Sequence, residues 1–467
     1  MNRALPFLLL LCGIPAFAAD YCVGPSSSGN GSGSDWSNQK AWSDTTVRGD
    51  TWYLRAGSNY AAKTFATAVS GTTLITIRKA TTNDHVTATG WSDWMGGPAV
   101  FTPTIRVNTS YYVFNGGQRD ESNPPFSWTN IWNYGFILTN RASTSSDDQQ
   151  MWITSPSYGS PSTAASHVVV SNLCALGVYS SYPDSAVRRY AMDCATGDDG
   201  TIHNNLLFSR MYIYGANQHW FLRQTDGAIV EYSASVACTS RSGGVCNCNH
   251  GENVNLYYTS DNAVIRYNWF FNNFTDNPGY SHGGTAIIAL TQSDNCKIYG
   301  NIFDTFSVGD GVAGFIDGTG SGNLFYNNTV ARSIGASASG AVFGASGSAI
   351  LNNIFMSNAV APNNVAGTEN YNAYSGAESE ANGQAALPSS IFVSWSTGDL
   401  RLTGHTANGT TLASPYDYDL LGNARGADSV WDRGAFQLEL APPASGAAIT
   451  ISGNVSISGS ALLRGTP

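Results

Sequence analysis

The sequence predicts an all-β solenoid, a chain wound into successive coils of short strands. Three observations predict it. A strand–Asn–strand phrase recurs as Val264-Ile265-Arg266-Tyr267-Asn268-Trp269-Phe270, Lys297-Ile298-Tyr299-Gly300-Asn301-Ile302-Phe303, Leu324-Phe325-Tyr326-Asn327-Asn328-Thr329-Val330 and Ile350-Leu351-Asn352-Asn353-Ile354-Phe355. Its asparagines Asn268, Asn301, Asn328 and Asn353 are 33, 27 and 25 residues apart, a coil-length period with no helical register. Only 12% of residues are charged, whereas Gly, Tyr, Phe and Trp are plentiful. Ordinary globular domains carry about 25% charge, so this composition belongs to short strands joined by tight turns.

In chain order, residues 1–19 read as a secretory signal peptide. Arg3 supplies the positive start, Phe7 to Leu11 the apolar centre and Ala16-Phe17-Ala18 the small-x-small cleavage site. No other stretch approaches the ~18 continuous apolar residues of a membrane span. The mature chain is therefore expected in the periplasm or medium, as a monomer. Residues 20–117 form the N-terminal cap and first coils, with strands at Thr51-Trp52-Tyr53-Leu54, Leu74 to Arg78 and Tyr111 to Asn115. Residues 118–166, polar, aromatic and bearing Pro124-Pro125, read as a long insertion over one face. Residues 167–440 form the regular coils and closing segment, and 441–467 a linker and strand-prone tail.

Within the coils the phrase returns at His167 to Asn172 and Asp199 to Asn205, and once with Ser233 in place of Asn. A second strand series lies between the copies: Trp220-Phe221-Leu222, Val254-Asn255-Leu256, Ala286 to Leu290, Val312 to Ile316 and Ala341-Val342-Phe343. Each coil thus has at least two faces. An Asn at a corner can turn inward and hydrogen-bond its counterparts about 4.8 Å above and below. Asn172, Asn205, Asn268, Asn301, Asn328 and Asn353 are expected to do so.

The formal charge is −10 and lysines are few, which excludes the basic patch that nucleic acid requires. An anionic polymer would have to be met by local Arg or a bound cation. Seven cysteines remain after Cys12 leaves with the signal. In an exported chain disulfides are the default; Cys174–Cys194 and Cys238 with Cys246 or Cys248 are the candidates, with one thiol left over. Cys246-x-Cys248-x-His250 fits no common zinc spacing.

Near the C-terminus, Trp431-Asp432-Arg433-Gly434-Ala435-Phe436 resembles the DxGA(F/Y) phrase that closes many secreted right-handed parallel β-helix proteins. With the Asn rungs, the resemblance is to the pectate-lyase-like β-helix superfamily. It implies a right-handed parallel β-helix with an N-terminal cap and short C-terminal tail. The superfamily includes lyases, glycoside hydrolases, epimerases, adhesins and phage tailspikes, so it implies no one activity.

Two columns of side chains are candidates for chemistry. Counting back from the corners aligns His203, Glu231, Arg266 and Tyr299 on the outward side, because Ile202, Val230, Ile265 and Ile298 alternate inward. One reading is a cross-strand salt bridge between Glu231 and Arg266. The other is a polysaccharide site in which Arg266 holds a uronate carboxylate, Glu231 binds substrate, and His203 or Tyr299 removes a proton. The second column comes from His219, His250 and His282, spaced 31 and 32 residues. For it the resemblance implies a cleft on one strand face, often with Ca²⁺ on acidic residues and an Arg or Lys nearby. His250, His282 and Arg223 are the candidate catalytic residues there. Glu252, Asp310 and Asp317 are the candidate calcium ligands. Tyr257 and Trp269 are candidate sugar-stacking residues. Asp198-Asp199 reads as a turn rather than a catalytic pair.

The leading expectation is a polysaccharide lyase that cleaves an acidic, uronate-containing glycan by β-elimination. The alternatives are a non-catalytic glycan-binding or adhesive β-helix and a glycoside hydrolase, which would need two opposed carboxylates such as Asp198/Asp199 or Glu252 with Asp317.

Overall fold

The computed structural model describes residues 18–102, 104–139, 147–153, 164–177, 188–194, 200–216, 218–240, 252–275, 288–307, 315–317, 320–334, 347–357, 367–377 and 379–439. Residues 1–17 of the expected signal peptide, the tail, Ala341–Phe343 and Asp198–Asp199 lie outside these residues. No described helix is long and apolar enough to cross a membrane.

The chain is a parallel β-helix. Its coils build three stacked sheets of 13, 12 and 8 strands. One coil shows the order: Gln218–Arg223 lies in the third sheet, Ile229–Glu231 in the first and Ala234–Val236 in the second. The next coil repeats it with Glu252–Tyr257, Val264–Arg266 and Trp269–Thr275. Within these three sheets the strands pair in parallel from coil to coil, as in Val230↔Ile265↔Ile298↔Phe325↔Ile350. Parallel crossovers of this kind are right-handed in nearly all proteins. The phrase that marks the sequence is thus two strands, one in the first sheet and one in the second, with the Asn corner between them.

Inside, the coil is filled by one continuous apolar cluster. Phe270, Phe303, Phe325, Phe355 and Tyr374 stack along it, with successive centroids 5.1, 5.8, 6.5 and 5.4 Å apart. At the N-terminal mouth Trp42 is surrounded edge-on by Trp52, Tyr60 and Phe65. Lys63 Nζ donates to the Trp42 and Asp44 carbonyls there. This apolar, aromatic plug closes the open end of the coil.

The Asn ladder runs along the corner between the first and second sheets. Asn268 Nδ2 donates to Asn301 Oδ1 at 3.0 Å, Asn301 to Asn328 at 3.1 Å, Asn328 to Asn353 at 3.1 Å and Asn353 to Asn372 at 2.9 Å. Ser233 begins the row by donating its N–H to Asn268 Oδ1. Glu380 ends it by accepting from both Asn372 N and Nδ2. Asn172 and Asn205 are not rungs. Asn172, at φ +53°, precedes Leu173, which holds the ladder position two coils before Ser233; the column is apolar there. Asn205, at φ +54°, sits at the other corner, entering the first sheet, with Asn262 and Asn295 in the same left-handed conformation. Asn tolerates that conformation better than most residues, so one letter marks two different corners.

The segment 118–166 differs from the expected insertion. Phe136–Leu138 is a rung of the second sheet and Asp147–Ile153 a rung of the third. Among the described residues of this segment, the stretch before Phe136 leaves the coil. It straps the corner between the first two sheets: Arg119 donates to the Tyr232 carbonyl, and Trp128 Nε1 donates to Glu121 at 2.7 Å. Trp128 and Tyr134 of the strap and Leu400 and Phe436 of the chain after Leu387 join Tyr299 and Trp269 of the first two sheets in an outer apolar layer.

The Cys174–Cys194 disulfide does not form. Cys174 lies in the outer apolar layer of the second sheet and Cys194 in the coil interior on the third, so their side chains leave the backbone on opposite sides of the wall. Both thiols are free and buried, and burial raises both pKa values. Cys246 and Cys248 lie outside the described residues.

Candidate functional site

The first predicted column exists in part. Register pairs Glu231 with Arg266 and Arg266 with Tyr299. Arg266 Nη2 and Nε donate to Glu231 Oε2 at 2.6 and 2.9 Å, and Nη1 donates to the Tyr299 hydroxyl at 3.0 Å. Burial would lower the Arg266 pKa, and the Tyr299 and Glu231 hydrogen bonds outweigh it and raise it. Tyr299 is 1% exposed, roofed by Tyr416 with ring centroids 4.8 Å apart. Burial raises its pKa, against the opposing pull of Arg266. The group is an ion pair and a phenol held under the closing segment, in the form of a structural brace.

His203 does not join this column. The residue in register with Glu231 one coil earlier is Ser209, whose hydroxyl donates to Glu231 Oε1 at 3.1 Å. His203 sits at the preceding corner, paired with Thr225, fully buried, its Nδ1 accepting from Ala165 N at 3.0 Å. Counting back from Asn205 takes the wrong corner as origin. Trp269 belongs to the outer aromatic layer, against Phe126 and Phe271 at 5.5 and 4.8 Å, and so stands on a different sheet from Tyr257.

The second predicted column maps onto the third sheet. His219 turns into the coil, where its Nδ1 lies 2.6 Å from Ser235 Oγ and burial lowers its pKa to about 3. It is a neutral core histidine. Outward from the same strands, register sets Asp193, Phe221 and Asn255 side by side, and Arg223 beside Tyr257. Strand spacing places neighbours in each row about 4.8 Å apart and the two rows about 6.6 Å apart. The Arg223 guanidinium lies 5.5 Å from the Tyr257 ring and 5.0 Å from the Tyr258 ring. Phe221 packs on Tyr257 at 6.0 Å. At the strand starts, Gln218 Nε2 donates to Glu252.

This face differs in kind from the other two. None of its strands contributes to the outer apolar layer among the described residues. Yet Asp193, Arg223, Glu252 and Asn255 are each under a tenth exposed, and Asn255 Oδ1 is buried without a hydrogen-bond partner. Enclosed polar atoms outside a solenoid wall are costly unless something meets them. The chain segments 241–251, 276–287 and 308–314, which lead into this sheet, lie outside the described residues. They carry His250, His282 and Asp310.

Calcium shared by Glu252 and Asp317 does not fit. Asp317 pairs with Leu290, and Leu290 with Leu256, four residues past Glu252. Two coils and four residues separate them by roughly 16 Å, whereas Ca²⁺ ligands lie about 2.3–2.6 Å from the ion. Asp193, Asn255 and Gln218 were missed from the sequence. Asn255 was legible as the outward residue of Val254-Asn255-Leu256. Asp193 was not, because its strand carries no Asn phrase.

No protein-family description matches the sequence, and no curated protein matches it. Solved structures show a partial likeness. A pectate lyase Pel9A is 14% identical over 90% of this chain and 96% of that one, with a TM-score of 0.45. A mannuronic acid specific polysaccharide family 6 lyase from human gut microbiota is 11% identical over 79% and 91%, with a TM-score of 0.32. A GH136 lacto-N-biosidase from Eubacterium ramulus is 9% identical over 79% and 68%, with a TM-score of 0.32.

Proposed function

We propose that the chain is a polysaccharide-active β-helix enzyme whose glycan lies along the outer face of the third sheet. In this reading it cleaves a uronate-containing chain by β-elimination. The supporting observation is the enclosed polar face itself: Arg223 beside the paired Tyr257 and Tyr258 rings, with Asp193, Asn255 and Glu252 on neighbouring rungs. A guanidinium neutralises a uronate carboxylate and so acidifies the C–H beside it. With a net charge of −10, such local neutralisation is required before an anionic polymer can dock. Tyr257 and Tyr258 offer ring faces against which a sugar can pack. His250 and His282, on the segments leading into the sheet, are the candidates for removing the proton. No step is assigned to a metal.

The test is incubation of the mature protein with alginate, pectate and glycosaminoglycans, following the ultraviolet absorbance of new unsaturated uronate ends. The reading expects absorbance on one of them. New reducing ends without absorbance identify a hydrolase, and retention on a glycan without cleavage identifies a binding protein. Silence on all three counts overturns the reading.

A further inference from the structure

A separate cluster lies in the closing segment, on residues 405, 428 and 432. Asp432 belongs to the Trp-Asp-Arg-Gly-Ala-Phe phrase and is fully buried. Its carboxylate accepts from Thr406 N at 2.9 Å, Gln437 Nε2 at 2.8 Å and Leu438 N at 3.0 Å. The same carboxylate lies 3.0 and 3.2 Å from His405 Nδ1. A carboxylate so placed holds the proton on Nδ1 and leaves the Nε2 lone pair facing away.

That lone pair faces Asp428. Its Oδ2 lies 3.4 Å from His405 Nε2, and the side chain is 10% exposed. Asp428 Oδ1 accepts from Val430 N at 2.9 Å, but the buried Oδ2 accepts no hydrogen bond. Two acceptors, one of them anionic, therefore point at each other with no donor between. Something positive has to lie there. The 3.4 Å separation is longer than the roughly 2.7–2.9 Å of a charge-assisted hydrogen bond. It matches a tetrahedral edge: bonds of about 2.0–2.1 Å to zinc set neighbouring ligands about 3.3–3.4 Å apart. Ligand atoms of His405, Asp428 and Asp432 all fall within 4.8 Å of one another.

We propose that this cluster is a divalent transition-metal site of the zinc class. His405 Nε2 and the Asp428 carboxylate are its protein ligands, and Asp432 is the positioning residue that orients the imidazole. The His405 side chain is 35% exposed, which gives an ion and its water ligands a way in. Imidazole with carboxylate selects zinc and its neighbours over calcium. The ion would tie the loop at His405 to the turn at Asp428. The adjoining Arg433 donates to the Asn372 carbonyl at 2.6 Å and the Asn408 carbonyl at 3.0 Å, so the site firms the segment that closes the last ladder rung. It is independent of the third-sheet face and of any activity there.

The experiment strips the mature protein with a chelator and titrates it with Zn²⁺, and with Co²⁺ as a visible-absorbance probe. The site predicts one equivalent bound, a rise in melting temperature with Zn²⁺, and a Co²⁺ spectrum of mixed nitrogen and oxygen ligation. His405→Ala and Asp428→Asn are each expected to weaken binding at least about 100-fold, and Asp432→Asn by about 10–100-fold. Asp428→Asn keeps the shape of the turn and the acceptor for Val430 N, so its melting in chelator verifies that it folds. Wild-type binding no stronger than that of folded Asp428→Asn shows that a proton alone occupies the gap and overturns the proposal. Binding that survives in both His405→Ala and Asp428→Asn overturns it as well.

Discussion

Removing Arg266 separates a brace from a binding site. The Arg266→Ala change deletes two bonds to Glu231 and one to Tyr299. The Glu231 side chain, 12% exposed, keeps only the Ser209 hydroxyl, and the Tyr299 phenol loses its partner under Tyr416. An exposed pair contributes about 0–1 kcal/mol, and breaking a buried one costs about 3–5 kcal/mol. The Arg266 side chain is 29% exposed, which puts this pair between the two, at about 2–3 kcal/mol. Chemical denaturation of wild type, Arg266→Ala, Glu231→Gln and the double variant measures it. A double-mutant coupling of at least about 1 kcal/mol is expected. Cleavage of the preferred glycan by folded Arg266→Ala is expected to match wild type. Unchanged stability with lost cleavage would refute the reasoning and move the site to the first sheet.

Three further outcomes follow from the structure. Asn301→Ala removes the acceptor of Asn268 N and of one of the two Asn268 Nδ2 hydrogen bonds, and the side-chain donor to the Ile265 carbonyl, all in the interior, and is expected to destabilise by about 2–5 kcal/mol on denaturant melting; a loss under about 1 kcal/mol would show that the ladder does not brace the corner. Lys79 is buried beneath the Ala80 and Met95 carbonyls, and burial, aided by the Arg55 charge, lowers its pKa to about 7. Its unfolded value is about 10.4, so the unfolded chain binds the extra proton between those pH values and stability rises with pH there. The wild-type minus Lys79→Met stability difference should climb by up to about 1.4 kcal/mol per pH unit from pH 7 towards 10; a flat difference contradicts it. Alkylation of unfolded, unreduced protein should label both Cys174 and Cys194, and a 174–194 cross-linked peptide in mass spectra would contradict their placement on opposite sides of the wall.

Much of the fold was written in the repeat. Asn268, Asn301, Asn328 and Asn353 stack as their spacing implies, and Ser233 takes the same position in the coil that lacks the Asn. Glu231, Arg266 and Tyr299 are neighbours because the count began at that same corner. His203 was misplaced because Asn205 marks a corner through its left-handed backbone, and Asn172 does the same one position before the ladder. A one-letter code does not distinguish an Asn that turns inward from one that bends the chain. The strand Arg188–Cys194 and its Asp193 went unread because their coil has no ladder Asn, and its Asn205 marks the other corner. Enclosure was also illegible. Tyr299 is covered by Tyr416, more than a hundred residues later, and no local pattern announces that contact.

The most direct test of the third-sheet site is the cleavage rate of Arg223→Ala on the preferred uronate polymer, beside Arg266→Ala and wild type at matched folded fraction. Loss of a charge-assisted contact to the reacting uronate, worth about 3 kcal/mol, predicts a drop in kcat/KM of about 100-fold or more for Arg223→Ala. Arg223→Lys is expected to recover part of it, because the charge returns without the bidentate geometry. A folded Arg223→Ala that cleaves at the wild-type rate would contradict the placement of the glycan on the third sheet.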